Sequence, residues 1–73
     1  MEQELRQTLI DLGFRDEEIH LESTPSGKVG GWIISDNFDG VSQIERQNNL
    51  WARLRERLPP EKLAKIVAIL TMT

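Results

Sequence analysis

With 73 residues, no cysteine and a formal net charge of −3, the chain is sized for one domain on a small core. It has no material for a disulfide, a zinc–thiolate site or a cysteine nucleophile. The acidic balance argues against whole-surface binding to nucleic acid, which needs excess positive charge facing the phosphates. No apolar run approaches the roughly 18 residues that span a bilayer, and the first residues, Met1-Glu2-Gln3-Glu4, lack the basic and then apolar pattern of a signal peptide. The expectation is a soluble cytoplasmic protein.

Glu2 to Leu12 is patterned as an amphipathic helix, with Leu5, Leu9 and Leu12 on one face and acidic residues in the first turn. Gly13 stands where a C-terminal cap belongs, and Phe14 is placed to pack back on the last turn. Ile19 to Ser23 alternates apolar and polar residues, as a half-buried strand does. Thr24-Pro25-Ser26-Gly27 is a turn and Lys28 to Ser35 a second strand, so the two should pair as an antiparallel hairpin. Gly30-Gly31 inside that strand marks a bulge or a close approach by a neighbour. Ser35-Asp36-Asn37-Phe38-Asp39-Gly40 then hands strand over to helix, with Asp39-Gly40 as the turn and Asp36 bridging backbone amides in it.

Ser42 is placed as the N-cap of a long helix, Glu45 completing a capping box, and Pro59-Pro60 stops that helix near Leu58. A short helix over Glu61 to about Ala64 follows. Ile66 to Leu70 is a β-branched apolar run, expected to form a central strand buried on both faces. The order α-β-β-α-α-β predicts a single domain over residues 1–73, an α+β two-layer sandwich with a three-stranded sheet and helices on one face. Parallel pairing of the last strand requires a right-handed crossover.

At about 100° per residue, Leu50, Leu54, Leu58, Trp51 and Ile44 share a core-facing arc of the long helix, and Arg46, Arg53 and Arg57 line up along its border. Three aligned arginines are a candidate anion-binding stripe, to which Lys28, Lys62 and Lys65 could add. Their stems would also cover the rim of the core with the guanidinium groups in water, Glu56 partly offsetting Arg53. Gly27-Lys28-Val29-Gly30-Gly31 has the spacing of a glycine-x-x-glycine backbone clamp. In KH domains that loop joins two helices, whereas here it lies in a hairpin, so turn geometry accounts for it more simply. His20 is the only histidine, and one imidazole builds neither a metal cage nor a triad. With no nucleophile–base couple, separated carboxylate pair or phosphate loop, the chain reads as non-enzymatic and without a cofactor.

The junction and long helix resemble the BolA family. The resemblance rests on Ser35-Asp36, Phe38, Gly40, Arg46, Leu50-Trp51 and Leu54. It resumes at Ala68, Ile69 and the Thr71-Met72-Thr73 ending. It covers residues 28 to 73, with a small insertion around Pro59-Pro60, and implies a class II KH-like fold in the same element order. It further implies a non-enzymatic regulator, linked to DNA and to monothiol glutaredoxins with which members share a 2Fe–2S cluster. The family's cluster ligands are a histidine near the start of the last strand and a histidine or cysteine in the hairpin loop. Here the first position holds Lys65, or Val67 in another register, and neither has a lone pair to give iron at neutral pH. Thr24 to Lys28 contains no histidine or cysteine, and the arginine–histidine pair heading the family's long helix is Arg46-Gln47. The expectation is a divergent member without metal ligands. Its partner would be nucleic acid, met through Arg46, Arg53, Arg57, Lys28 and Lys65, or a glutaredoxin-like protein to which it supplies no ligand. It would act away from membranes, as a monomer or weak dimer joined at a strand edge.

Overall fold

The computed structural model describes residues 1–73. Helix α1 (Glu2–Asp11) buries Leu5 and Leu9 completely, as their i, i+4 spacing requires. It ends as predicted at Gly13, whose φ of 109° suits only glycine among ordinary residues. The Gly13 N–H donates to Ile10 O and the Phe14 N–H to Leu9 O, the paired bonds of a Schellman cap. The cap turns Phe14 into the core, where its ring lies 5.5 Å from that of Phe38.

Strands β1 (Ile19–Ser23) and β2 (Val29–Ile34) form the expected antiparallel hairpin, with Ile19 opposite Ile33 and Ser23 opposite Val29. Gly27, at φ 82°, makes the turn. After β2 the Ser35 hydroxyl accepts the Asn37 N–H at 3.1 Å and caps a single 3₁₀ turn, Asp36–Phe38. Ser35, rather than Asp36, therefore supplies the side-chain bond in this junction, and Phe38 plugs the core at its end. Helix α2 (Gln43–Arg57) starts at Ser42, whose hydroxyl accepts the Glu45 N–H. Only this half of the capping box forms. Pro59-Pro60 ends α2 and opens α3 (Pro60–Leu63), followed by β3 (Ile66–Met72).

The fold is α+β, with three helices and a mixed three-stranded sheet in the order β1-β2-β3. β3 runs parallel to β2, which the long crossover through α2 and α3 makes possible. The core is one cluster of twelve residues, to which α1 gives Leu5 and Leu9, α2 gives Leu50 and Leu54, and the sheet gives Ile19, Val29, Ile33, Ile66 and Ile69.

Two expectations are corrected. β3 is an edge strand, not a central one, and only one of its faces is buried: Ile66, Ile69 and Thr71 point inward while Val67 and Leu70 are exposed. The register with β2 slips between Ile66 and Ile69, so that Val67 and Ala68 together face the single residue Gly30. This is a bulge. The glycine pair did mark an irregularity, but the extra residue is in the facing strand. Ile44 is 74% exposed rather than core. It lies about 80° around α2 from Leu54, which is fully buried, and in the first turns the direction toward β3 is taken by Gln47 instead.

Glu18 is buried at the start of β1. It accepts the Arg15 N–H at 2.9 Å, and this bond, opposed by burial and helped by the Ser35 hydroxyl and the Arg15 guanidinium, holds its carboxyl below the usual carboxylate range. A pKa lowered by folding stabilises the fold above the unfolded value of about 4.3, and that stabilisation is lost as pH falls through the folded value. Glu18→Gln is therefore expected to lower the urea midpoint at neutral pH, with the gap to the parent closing in acid. Urea melts from neutral pH down to pH 3 check this; a gap independent of pH would show that the charge is not involved.

Candidate functional site

The five cations singled out in the sequence do not form one surface. Arg46 is half-buried. Its Nε donates to Val41 O at 2.8 Å, and its Nη1 reaches Gln43 Oε1 and Thr71 O at 3.4 Å. The guanidinium also lies over the Phe38 ring, 5.8 Å from its centre. Arg46 thus ties the head of α2 to the far end of β3, leaving Nη2 as its unbonded terminal nitrogen. Gln47 does similar work, donating from Nε2 to Ile69 O at 2.8 Å and accepting the Trp51 Nε1–H at 3.3 Å.

These bonds also fix which way β3 faces. Met72 O accepts the Ser35 N–H beyond the end of β2, and Lys65 O the Val29 N–H. Because successive carbonyls along a strand point to opposite sides, those of Thr71 and Ile69 turn away from β2, toward the outer edge. They are the two that Arg46 and Gln47 occupy.

Arg53 and Arg57 are different. Both are exposed, and the chain's four ion pairs are made by Arg6, Arg15 and Lys62. Glu56 does not engage Arg53. Lys62 is bound to Glu4, which removes it from any anion-binding set. Lys28 and Lys65 are exposed and neighbouring, since each precedes one member of the Val29–Ile66 pair. They sit where β2 and β3 begin. α2 runs antiparallel to β3, with Arg46 at Thr71 and Gln47 at Ile69. Arg57 therefore lies toward the Lys28/Lys65 end and Arg46 at the opposite one, about 16 Å away along the helix axis.

Arg46 and Arg53 meet at a cleft of about 200 Å³ between the cap of α1, the 3₁₀ turn and α2. Phe14, Phe38 and Leu50 give it an apolar floor, and Asn37 and Asn49 also line it. No carboxylate lines it. Sequence reasoning passed over Asn49, although its position three after Arg46 and four before Arg53 puts it on the same helix face.

The other notable surface is the side of the sheet that no helix covers. Trp32 stacks on His20, their rings 5.2 Å apart and 12° from parallel. Leu70 is paired beside Trp32 and Met72 beside Ile34, and Val67 and Leu70 are among the most exposed large apolar side chains. A shallow hollow over Gly30 and Gly31 lies next to them. This face carries almost no positive charge.

An iron–sulfur cluster does not fit the places the resemblance assigns to its ligands. Lys65 occupies the strand position, the hairpin loop from Thr24 to Lys28 presents no imidazole or thiolate, and nowhere do three His, Cys, Asp or Glu side chains converge. His20 is stacked on Trp32, level with Leu70 and away from the end of the sheet where Lys65 lies. No helix is long and apolar enough to cross a membrane. Comparison with protein-family models, with curated proteins and with solved structures finds no match.

Proposed function

We propose that the protein is a non-enzymatic, BolA-like regulatory module of class II KH-like fold that binds nucleic acid through α2. The observation that carries this reading is the pair Arg53 and Arg57, exposed, one turn apart on one helix face and free of ion pairs. Guanidinium groups left unpaired at that spacing suit successive phosphates. The element order supports the family assignment, since it is the order the resemblance implies. Lys28 and Lys65 lie toward the Arg57 end of α2 as a separate exposed pair, and Arg46, held by its hydrogen bonds, has only Nη2 left to offer. The net charge of −3 keeps such binding local and dependent on salt.

A second reading, an adaptor for a glutaredoxin-like or other protein, draws on the uncovered apolar sheet face around Trp32, Val67 and Leu70.

One experiment separates them: backbone chemical-shift mapping at low salt against short DNA, RNA and a monothiol glutaredoxin. The expected result is nucleic-acid shifts along Asn49, Arg53 and Arg57. Affinity should fall with a log–log salt slope of about −2 to −3, the mark of a few phosphate contacts, and the double variant R53Q/R57Q should not bind. Shifts with glutaredoxin alone, centred on Val67 and Leu70, would replace this reading with the adaptor. Silence from every ligand would sink both.

A further inference from the structure

We propose that the cleft between Phe14, Phe38 and α2 is a binding site for a small monocarboxylate carried on a single ring. It is independent of the nucleic-acid reading, although both use Arg53. Three features of the cleft select that chemistry. The floor is apolar, made by Phe14, Phe38 and Leu50, so the body of the ligand is apolar. Arg46 and Arg53 both line the cleft and no carboxylate is among the lining residues, so the ligand carries negative charge that the protein does not itself neutralise. Arg46 is held in place by its Nε and Nη1 bonds with Nη2 still unbonded, and Arg53 makes no ion pair. An arginine held in place and one without an ion pair thus line the same cleft.

Size narrows the ligand further. A volume of about 200 Å³ is below the roughly 300–1,000 Å³ of pockets that hold drug-sized molecules, leaving room for one ring and its carboxylate. Asn37 and Asn49 also line the cleft, and an asparagine amide can donate to a carboxylate oxygen or accept from a ring substituent.

The test uses the intact chain with three probes, phenylacetate, phenylacetamide and acetate, followed by backbone chemical shifts. Phenylacetate is expected to give saturable shifts at Gly13, Phe14, Asn37, Asn49 and Arg53. The neutral amide should bind at least about tenfold more weakly, the worth of a hydrogen bond to a charged group, and the bare anion at least as much more weakly because it has no ring to bury on the apolar floor. R53Q, a change at an exposed position, should keep a folded spectrum and weaken phenylacetate about tenfold. R57Q, outside the cleft, should leave phenylacetate binding unchanged while weakening nucleic acid, so failure here and failure of the nucleic-acid reading are told apart. The proposal is overturned by an absence of saturable shifts, by equal binding of the amide or of acetate, or by indifference to R53Q.

Discussion

Gly31→Ala is expected to remove a large part of the fold's stability. Gly31 lies in the middle of the central strand, paired with Leu21 on one side and Ile69 on the other. A Cβ added there would run into the His20 carbonyl and stand only 2.9 Å from the Leu21 Cα. The obstruction is backbone on a paired strand, which no rotamer change relieves, so β1 would have to separate from β2. Overpacking in a core costs about 1–3 kcal/mol and more where the backbone must move. A domain of this size has only about 4–11 kcal/mol in total. Gly30→Ala is the matched control, because its Cβ would meet the Ala68 oxygen at 3.2 Å across the bulge, where β3 has slack. Circular dichroism and urea titration of the two variants side by side check this; a Gly31→Ala midpoint equal to that of the parent would refute the close approach.

Leu54→Ala should be the next most damaging change. Leu54 is fully buried on α2 within the single core cluster, alongside Leu50 and Leu58. Truncation removes apolar contact and leaves a cavity that a helix held at its head by Arg46 and Gln47 has little freedom to close. Leu→Ala at such sites costs about 2–5 kcal/mol. The urea midpoint should drop by that energy divided by the slope, with the slope itself unchanged, whereas Ile44→Ala, at a position 74% exposed, should have almost no effect. Equal effects of the two substitutions would mean that α2 is rotated from its described position.

The contrast between Leu54 and Ile44 shows what could be read from the chain and what could not. Features fixed within a few residues were legible: the cap at Gly13, the hairpin around Thr24–Gly27, the Ser42 cap and the stop at Pro59-Pro60. Each depends on backbone geometry that its own residues dictate. The place of β3 was not legible, because five consecutive apolar residues from Ile66 to Leu70 carry no period. The bulge then breaks what alternation the strand has. Ile44 failed for a related reason, since an apolar residue on the margin of a helical arc is buried only if a neighbour reaches it. Of the candidate site, the alignment of Arg53 and Arg57 followed from helical spacing alone. The use of Arg46 did not, for it depends on a carbonyl 25 residues further along. Nor did the cleft, whose floor joins two phenylalanines from opposite sides of the hairpin.

The carbonyls of Ile69 and Thr71 have one more consequence. β3 is a seven-residue edge strand without a charge or a proline, the composition that ordinarily lets one sheet recruit a strand from another molecule and grow into an aggregate. The gatekeepers that prevent this usually stand in the strand itself. Here they are lent by the neighbouring helix, as the guanidinium of Arg46 and the amide of Gln47 occupy the acceptors an incoming strand would need. The cover on this edge is thus encoded some twenty residues away from the strand that carries it.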